Sequence, residues 1–370
     1  MSALVLFEEL TAGAGKVGRA TLSVEATLNS LTLEMVDLLQ QQLDSWLVDD
    51  DIRAVFIDAA GEKAFCAGGD VQALHASAVA TPGGPCDYAE VFFAREYRMN
   101  YTLHTYPKPI ICWGHGIVMG GGLGVMAGCS HRIVTERTRI AMPEVTIALF
   151  PDVGGSWFLN HMPGEAGLFL ALTGASINAS DALYTGIADR FIANEHKAAV
   201  LDALLSTTYS NEADTNHGLV NAALRPFAAA SESDKPEGQV EPHMAVINQL
   251  CDGDSIHDVI DQITALDTDD SWLSRARDSL AQGSKLAALW IARQLWETRH
   301  ASLREVFQAE VQLATNVVRY PEFAEGVRAL LIDKDRNPAW TFAASRDVPE
   351  DLLAGFFTSP WDSNPLADLS

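Results

Sequence analysis

Along the first half of the chain, short apolar runs alternate with Gly-rich turns and amphipathic stretches; beyond about residue 195 the strand-like runs stop and a 3.6-residue apolar period takes over. The short runs predict strands over Leu4–Glu8, Arg19–Val24, Ala54–Asp58, Pro109–Trp113, Arg132–Thr135 and Arg139–Ala141. Leu33–Leu47 reads as an amphipathic helix, Val71–Ala76 as the start of another, and Tyr88–Leu103 as a third with Phe92, Met99 and Leu103 on one face. Glu96 falls on that same face. A carboxylate there is either paired in the core or pointed into a cavity. The second half predicts helices over His196–Thr207, Met244–Asp252, Ser255–Leu266, Ser271–Ala281, Lys285–Arg299, Leu303–Val318 and Phe323–Ile332, with a polar loop at Ser231–Pro242. The expected class is α/β, a strand-bearing core over residues 1–195 followed by an α-helical region over 196–370.

With 370 residues, 48% of them hydrophobic, the chain has material for a sizeable core and about two domains, which excludes disorder, collagen and coiled coil. Charge narrows the partners. Lys and Arg total 25 against 49 Asp and Glu, a net charge of −24 that repels a phosphate backbone and an anionic membrane surface alike. Neither nucleic acid nor membrane is an expected partner, and an anionic ligand has to be held by local cations. No run approaches the roughly 18 apolar residues of a bilayer span. Cys66, Cys86, Cys112, Cys129 and Cys251 are odd in number and widely spaced, so they read as reduced, buried thiols of an intracellular protein. The N-terminal stretch, with Glu8 and Glu9 and no basic segment, fits neither a secretory nor a transit peptide; the expected location is cytoplasmic.

Gly13-Ala-Gly-Lys-Val-Gly18 matches a dinucleotide fingerprint in letters, but a strand-like segment follows where a helix is required, so it reads as a turn. No serine-hydrolase elbow, Walker loop or H-E-x-x-H spacing occurs, and the His and Cys residues form no metal-ligand pattern. His115, in the turn Gly114-His-Gly116, reads as structural.

Three segments carry chemistry. Lys63-Ala-Phe-Cys-Ala-Gly-Gly-Asp70 follows a strand and precedes a helix, with Asp70 placed as its N-cap. Gly114-His-Gly-Ile-Val-Met-Gly-Gly-Gly-Leu-Gly-Val-Met-Ala-Gly128 reads as strand, turn and helix, with Gly120–Gly122 at the helix start. Exposed amides at these two glycine runs suggest a two-donor oxyanion hole, the device for a carbonyl or thioester that develops negative charge; close packing of helix on strand is the alternative for either run. Met142-Pro-Glu-Val-Thr-Ile-Ala-Leu-Phe-Pro-Asp-Val-Gly-Gly155 sets Glu144 and Asp152 in an apolar stretch, as a general acid/base pair or as ordinary helix-start and turn residues. Apolar neighbours raise a carboxyl pKa toward neutrality.

These strings, with Phe92-Phe-Ala-Arg-Glu-Tyr97, Leu170-Ala-Leu-Thr-Gly174 and Glu325-Gly-Val-Arg-Ala-Leu-Leu-Ile-Asp-Lys-Asp335, resemble the crotonase (enoyl-CoA hydratase/isomerase) superfamily over nearly the whole chain. The resemblance is nearest to its members that hydrolyse 3-hydroxyacyl-CoA thioesters. It implies a spiral of β-β-α turns over about residues 1–195, covered by the later helices. It places oxyanion amides at Gly69 and Gly121, acyl-group contacts at Glu96, Gly121, Glu144 and Asp152, and catalysis on Glu144 and Asp152. Hydratases of this fold carry a second glutamate where this chain has Gly124, so hydration is not expected, while hydrolysis or isomerisation remains open to a single Glu144. The setting of Asp152 resembles the hydrolases. The implied reaction is hydrolysis of a short 3-hydroxyacyl-CoA, 3-hydroxyisobutyryl-CoA first, as in valine breakdown. An enoyl-CoA isomerase, a 3-hydroxypropionyl-CoA hydrolase and a silent acyl-CoA-binding protein are the alternatives. CoA is part of the substrate and neither cofactor nor metal is implied; Lys63 and Lys334 are candidates for its phosphates. A homo-oligomer, trimer or hexamer, is the assembly that the resemblance suggests.

Overall fold

A computed structural model describes residues 3–370. Its strands are β1 (Val5–Thr11), β2 (Lys16–Leu22), β3 (Ile52–Ala59), β4 (Ala64–Cys66), β5 (Ile110–Gly114), β6 (Ile117–Met119), β7 (His131–Val134), β8 (Arg139–Ala141) and β9 (Arg190–Phe191). The first eight helices are α1 (Leu33–Val48), α2 (Val71–Ala80), α3 (Asp87–His104), α4 (Gly121–Gly128), α5 (Gly155–Asn160), α6 (Ala166–Thr173), α7 (Ala179–Tyr184) and α8 (Lys197–Leu205). They are followed by α9 (Ala213–Ser231), α10 (Val240–Leu250), α11 (Ile256–Thr264), α12 (Ser271–Gln282), α13 (Lys285–Thr298), α14 (Leu303–Arg319), α15 (Pro321–Val327) and α16 (Glu350–Gly355).

A six-stranded sheet runs in the order β1-β2-β3-β5-β7-β9, and a three-stranded sheet in the order β4-β6-β8. Strands β1 and β2 form an antiparallel hairpin whose turn is residues 12–15, so of the Gly13–Gly18 stretch only the first half is turn and Lys16–Gly18 already belongs to β2; the other pairings of the large sheet are parallel. Parallel strands are covered on both faces and read as continuous apolar runs, which is why β3 and β5 are buried from end to end apart from Arg53. Val17, Ala54, Phe56, Ile111, Trp113 and Ile133 pack against Val200 and Leu204 of α8 and Val220 and Leu224 of α9.

The last strand ends at Phe191, so the composition shift near residue 195 marks where strands give way to helices. By compactness the chain divides differently. One unit comprises residues up to 69, 99–140 and 177–239; the other comprises 70–98, 141–176 and 240–370. Four strands, β4, β6, β8 and β9, are only two or three residues long; β8 matches the expected Arg139–Ala141, and the other three leave no alternation to read. Helix α9 also escapes the apolar period, because Gly218 and Pro226 interrupt it, although Asn216, Val220 and Leu224 line its buried face. The polar loop after it is shorter than expected, since α10 starts at Val240. At the other end of that region, α15 continues into a π-helical turn over Arg328–Ile332.

In the first unit Asp58 of β3 is fully buried and accepts from Thr21 Oγ1 at 2.6 Å and Arg19 Nη2 at 2.8 Å, with Lys197 Nζ also at 2.8 Å. Burial alone would raise its carboxyl, but the Arg19 and Lys197 charges and three hydrogen bonds hold it below the ordinary range. Replacing Asp58 by Asn leaves two cations facing a neutral amide and costs about 3 kcal/mol in urea unfolding at pH 7. A folded pKa below the unfolded one gives stability present above the unfolded value and lost as pH falls through the folded value. The difference between wild type and Asp58→Asn therefore shrinks below about pH 4.

Candidate active site

The first unit holds both glycine runs. Gly68, at φ 109°, offers its carbonyl to Leu31 N at 2.8 Å, and a Cβ added there would sit 3.4 Å from Met119 O and 3.9 Å from Gly121 N. The runs therefore lie against each other, as a two-donor device requires. Gly69 directly precedes Asp70, whose side chain caps α2 by accepting from Ala73 N at 3.2 Å. Gly120, at φ 48°, is the N-cap of α4 and offers no side-chain acceptor, while Gly121 is the first helical residue. An N–H at that position has no intrahelical acceptor, and every residue of α4 is buried, so a charge placed there is weakly screened. Close packing is also present, at the next position: a Cβ on Gly122 would come 2.4 Å from Cys66 O. Gly124 lies buried inside the same helix. His115 donates from Nε2 to the Gly61 carbonyl at 2.9 Å, and burial together with Lys197 pushes its imidazole below the ordinary value, which fits the structural reading. All five cysteines are buried free thiols.

The second unit holds the carboxylates. Glu96, Glu144 and Asp152 are 2%, 5% and 5% exposed. Glu144 opens a 3-10 turn, Glu144–Ile147, behind Pro143, and Ala148 at φ 51° ends it. The turn is anchored by Ser284 N, which donates to Val145 O at 3.1 Å, and by Gly326, where a Cβ would come 2.6 Å from the Ile147 carbonyl carbon. Asp152 starts a second turn, closed by Gly155 N donating to its carbonyl at 2.7 Å, with Val153 at φ 54° and Gly154 at φ 84° in the left-handed region. Both segments thus present their carboxyl from a tightly fixed backbone.

Glu96 Oε1 and Glu144 Oε2 are buried without a hydrogen-bond partner among the described residues. Burial, and then the charge of Asp152, raise both carboxyls well above the ordinary range. Burial also raises Asp152, to about 6, against the opposing hydrogen bond from Tyr97. Burial and mutual charge thus favour the protonated form of all three carboxyls, and two of their oxygens have no partner among the described residues. Among the described residues, no three His, Cys, Asp or Glu side chains are placed to hold a metal. Lys63 and Lys334 are both exposed.

Two further residues belong to this constellation. Tyr97 donates its phenolic hydrogen to Asp152 Oδ2 at 2.6 Å. Glu310 of α14 accepts from Gly154 N at 2.7 Å and Ser156 N at 2.9 Å. Glu310 was detectable by the test that singled out Glu96, since Val306, Phe307, Leu313, Ala314 and Val317 surround it on one buried helix face. A buried tyrosine hydroxyl needs a partner, but sequence does not say which. Tyr97→Phe removes the donor that favours ionised Asp152, so the carboxyl titration near 6 moves upward. Carbon-13 NMR of the aspartate carboxyl checks this; an unmoved or lowered midpoint contradicts the pairing.

The sequence model of the family described as enoyl-CoA hydratase/isomerase matches residues 17–357. A protein named 3-hydroxyisobutyryl-CoA hydrolase, mitochondrial, from Danio rerio is 35% identical over 96% of this chain and 89% of its own length. Its Homo sapiens namesake is 35% identical over 93% and 87%. Among solved structures, an enoyl-CoA hydratase from Rhodobacter sphaeroides 2.4.1 superposes with a TM-score of 0.83, at 33% identity over 97% of this chain and 98% of that one. A carnitinyl-CoA dehydratase from Mycobacterium thermoresistibile gives 0.86, at 33% identity over 98% of both chains.

Proposed function

This chain belongs to the enoyl-CoA hydratase/isomerase family, and from that premise we propose that it hydrolyses a short 3-hydroxyacyl-CoA, 3-hydroxyisobutyryl-CoA first, to the free hydroxy acid and CoA. Its similar proteins carry two kinds of name, hydrolase among the curated relatives and hydratase or dehydratase among the solved structures, at nearly equal identity. The observation that carries the choice is Gly124. Adding water across a double bond takes two proton-handling groups, and α4 offers a buried glycine where hydratases of this fold carry the second glutamate.

In this reading the Gly69 and Gly121 amides donate to the thioester oxygen as it becomes an oxyanion, and Glu144 drives the attack on the carbonyl carbon. Glu144 either adds to the carbonyl carbon, giving a mixed anhydride that water then opens, or takes a proton from the attacking water. By either route the C–S bond breaks, one water oxygen ends in the product carboxylate, and one proton goes to the CoA sulfur. Asp152, titrating near 6, is suited to deliver that proton. Glu96, whose Oε1 has no partner, takes the substrate 3-hydroxyl. Lys63 and Lys334 are assigned to the CoA phosphates, local cations against the −24 of the whole chain. No cofactor takes part beyond the CoA of the substrate.

The test is free-thiol release from 3-hydroxyisobutyryl-, 3-hydroxypropionyl-, crotonyl- and acetyl-CoA. Fast release from the two 3-hydroxy esters, with the isobutyryl ester ahead, is expected. Release confined to the esters without a 3-hydroxyl removes the role given to Glu96, and hydration of crotonyl-CoA without thiol release returns the chain to the hydratases.

A further inference from the structure

Asp152 sits in a turn that does not hold itself. Val153, a β-branched residue at φ 54°, and Gly154, at φ 84°, adopt left-handed backbone that surrounding contacts must maintain. The turn feeds α5, whose six residues begin at Gly155 with Gly154 as an N-cap that provides no side-chain acceptor. Glu310 supplies what is missing. It is fully buried, on the face of α14 formed by Val306, Phe307, Leu313 and Ala314, and its two oxygens take the Gly154 and Ser156 amides at 2.7 and 2.9 Å. Burial pushes its carboxyl up to about 8 even with those two bonds opposing the shift, and the charge of Asp152 adds to the rise.

Such a group is costly where it stands. A hydrophobic residue of similar size would suit the apolar helix face better, so a carboxylate is useful there for what it grips. What it grips is the backbone two and four residues beyond Asp152, while the Tyr97 hydroxyl holds the Asp152 side chain itself. We propose that Glu310 is a positioning residue for the thioester reaction, clamping the Gly154 and Ser156 amides so that the turn aims the Asp152 carboxyl. The inference rests on the hydrolase reading above. Glu310 touches neither substrate nor reacting atoms in this scheme; its effect passes through Asp152.

The experiment is a double-mutant cycle on thiol release with Glu310→Gln, Asp152→Asn and the pair. Gln matches Glu in shape but turns an NH2 toward one of the two amides. Glu310→Gln is expected to lower kcat about tenfold to a hundredfold with little change in KM, and to have almost no further effect in the Asp152→Asn background. Glu310→Asp, which keeps the charge but reaches only one amide, serves as the second variant and loses less. A lower thermal midpoint with unchanged kcat per folded molecule, or a loss that persists in full beside Asp152→Asn, overturns the proposal. Failure of the hydrolase reading has a different signature, no thiol release by wild type. The clamp is then read from the Asp152 carboxyl carbon, whose titration burial raises to about 6 against the Tyr97 hydrogen bond, with Glu96, Glu144 and Glu310 as the other carboxyls that feel its charge. Its midpoint moves in Glu310→Asp, which keeps the charge but not both amide contacts, if the turn is aimed by Glu310, and an unmoved midpoint rejects the clamp.

Discussion

Glu144→Gln lowers free-thiol release from 3-hydroxyisobutyryl-CoA by about 10³-fold, the middle of the range for losing a positioned proton-transfer group. The side chain keeps its size and one carbonyl oxygen, yet an amide neither attacks a thioester nor takes a proton from water. The variant remains folded. Glu144 Oε2 has no partner among the described residues, so the change leaves no donor orphaned and replaces a carboxyl that burial penalises with a neutral group. An unchanged or raised unfolding midpoint together with the lost turnover is the expected pair of results. Kinetics reading near wild type would remove Glu144 from the chemistry.

Gly69→Pro is the second large effect, about 10²- to 10³-fold in kcat. Proline deletes the amide hydrogen and adds no charge, so it removes one of the two donors assigned to the oxyanion. Because Gly69 adjoins Gly68 at φ 109°, circular dichroism and thermal unfolding accompany the assay to separate a lost donor from a lost fold. Gly121→Pro probes the other donor with less risk, as proline suits the first position of a helix. Full activity in a folded Gly69→Pro protein contradicts the oxyanion assignment.

The carboxylates and the glycine runs were legible for one reason: each breaks a local pattern. Glu96 interrupts an apolar helix face, Glu144 and Asp152 interrupt an apolar stretch, and Gly120–Gly122 removes side chains where a helix begins. Glu310 breaks the pattern of α14 in the same way, but a buried carboxylate within a long amphipathic helix does not announce which turn it will grip. The Tyr97–Asp152 bond joins residues 55 apart in the chain, and nothing local to either encodes the other. Short strands fail for lack of length, as β4 and β6 show, and α9 fails because its glycine and proline hide a sound buried face. The grouping of segments into two compact units depends on which helix faces pair, information that is spread over the whole chain.

The most direct measurement is thiol release from 3-hydroxyisobutyryl-CoA by wild type and Glu144→Gln, side by side at pH 7. Rapid release by wild type, reduced about 10³-fold in the variant with its fold intact, is the predicted result. Equal release by the two proteins, or none by wild type, contradicts a thioester hydrolase built around Glu144.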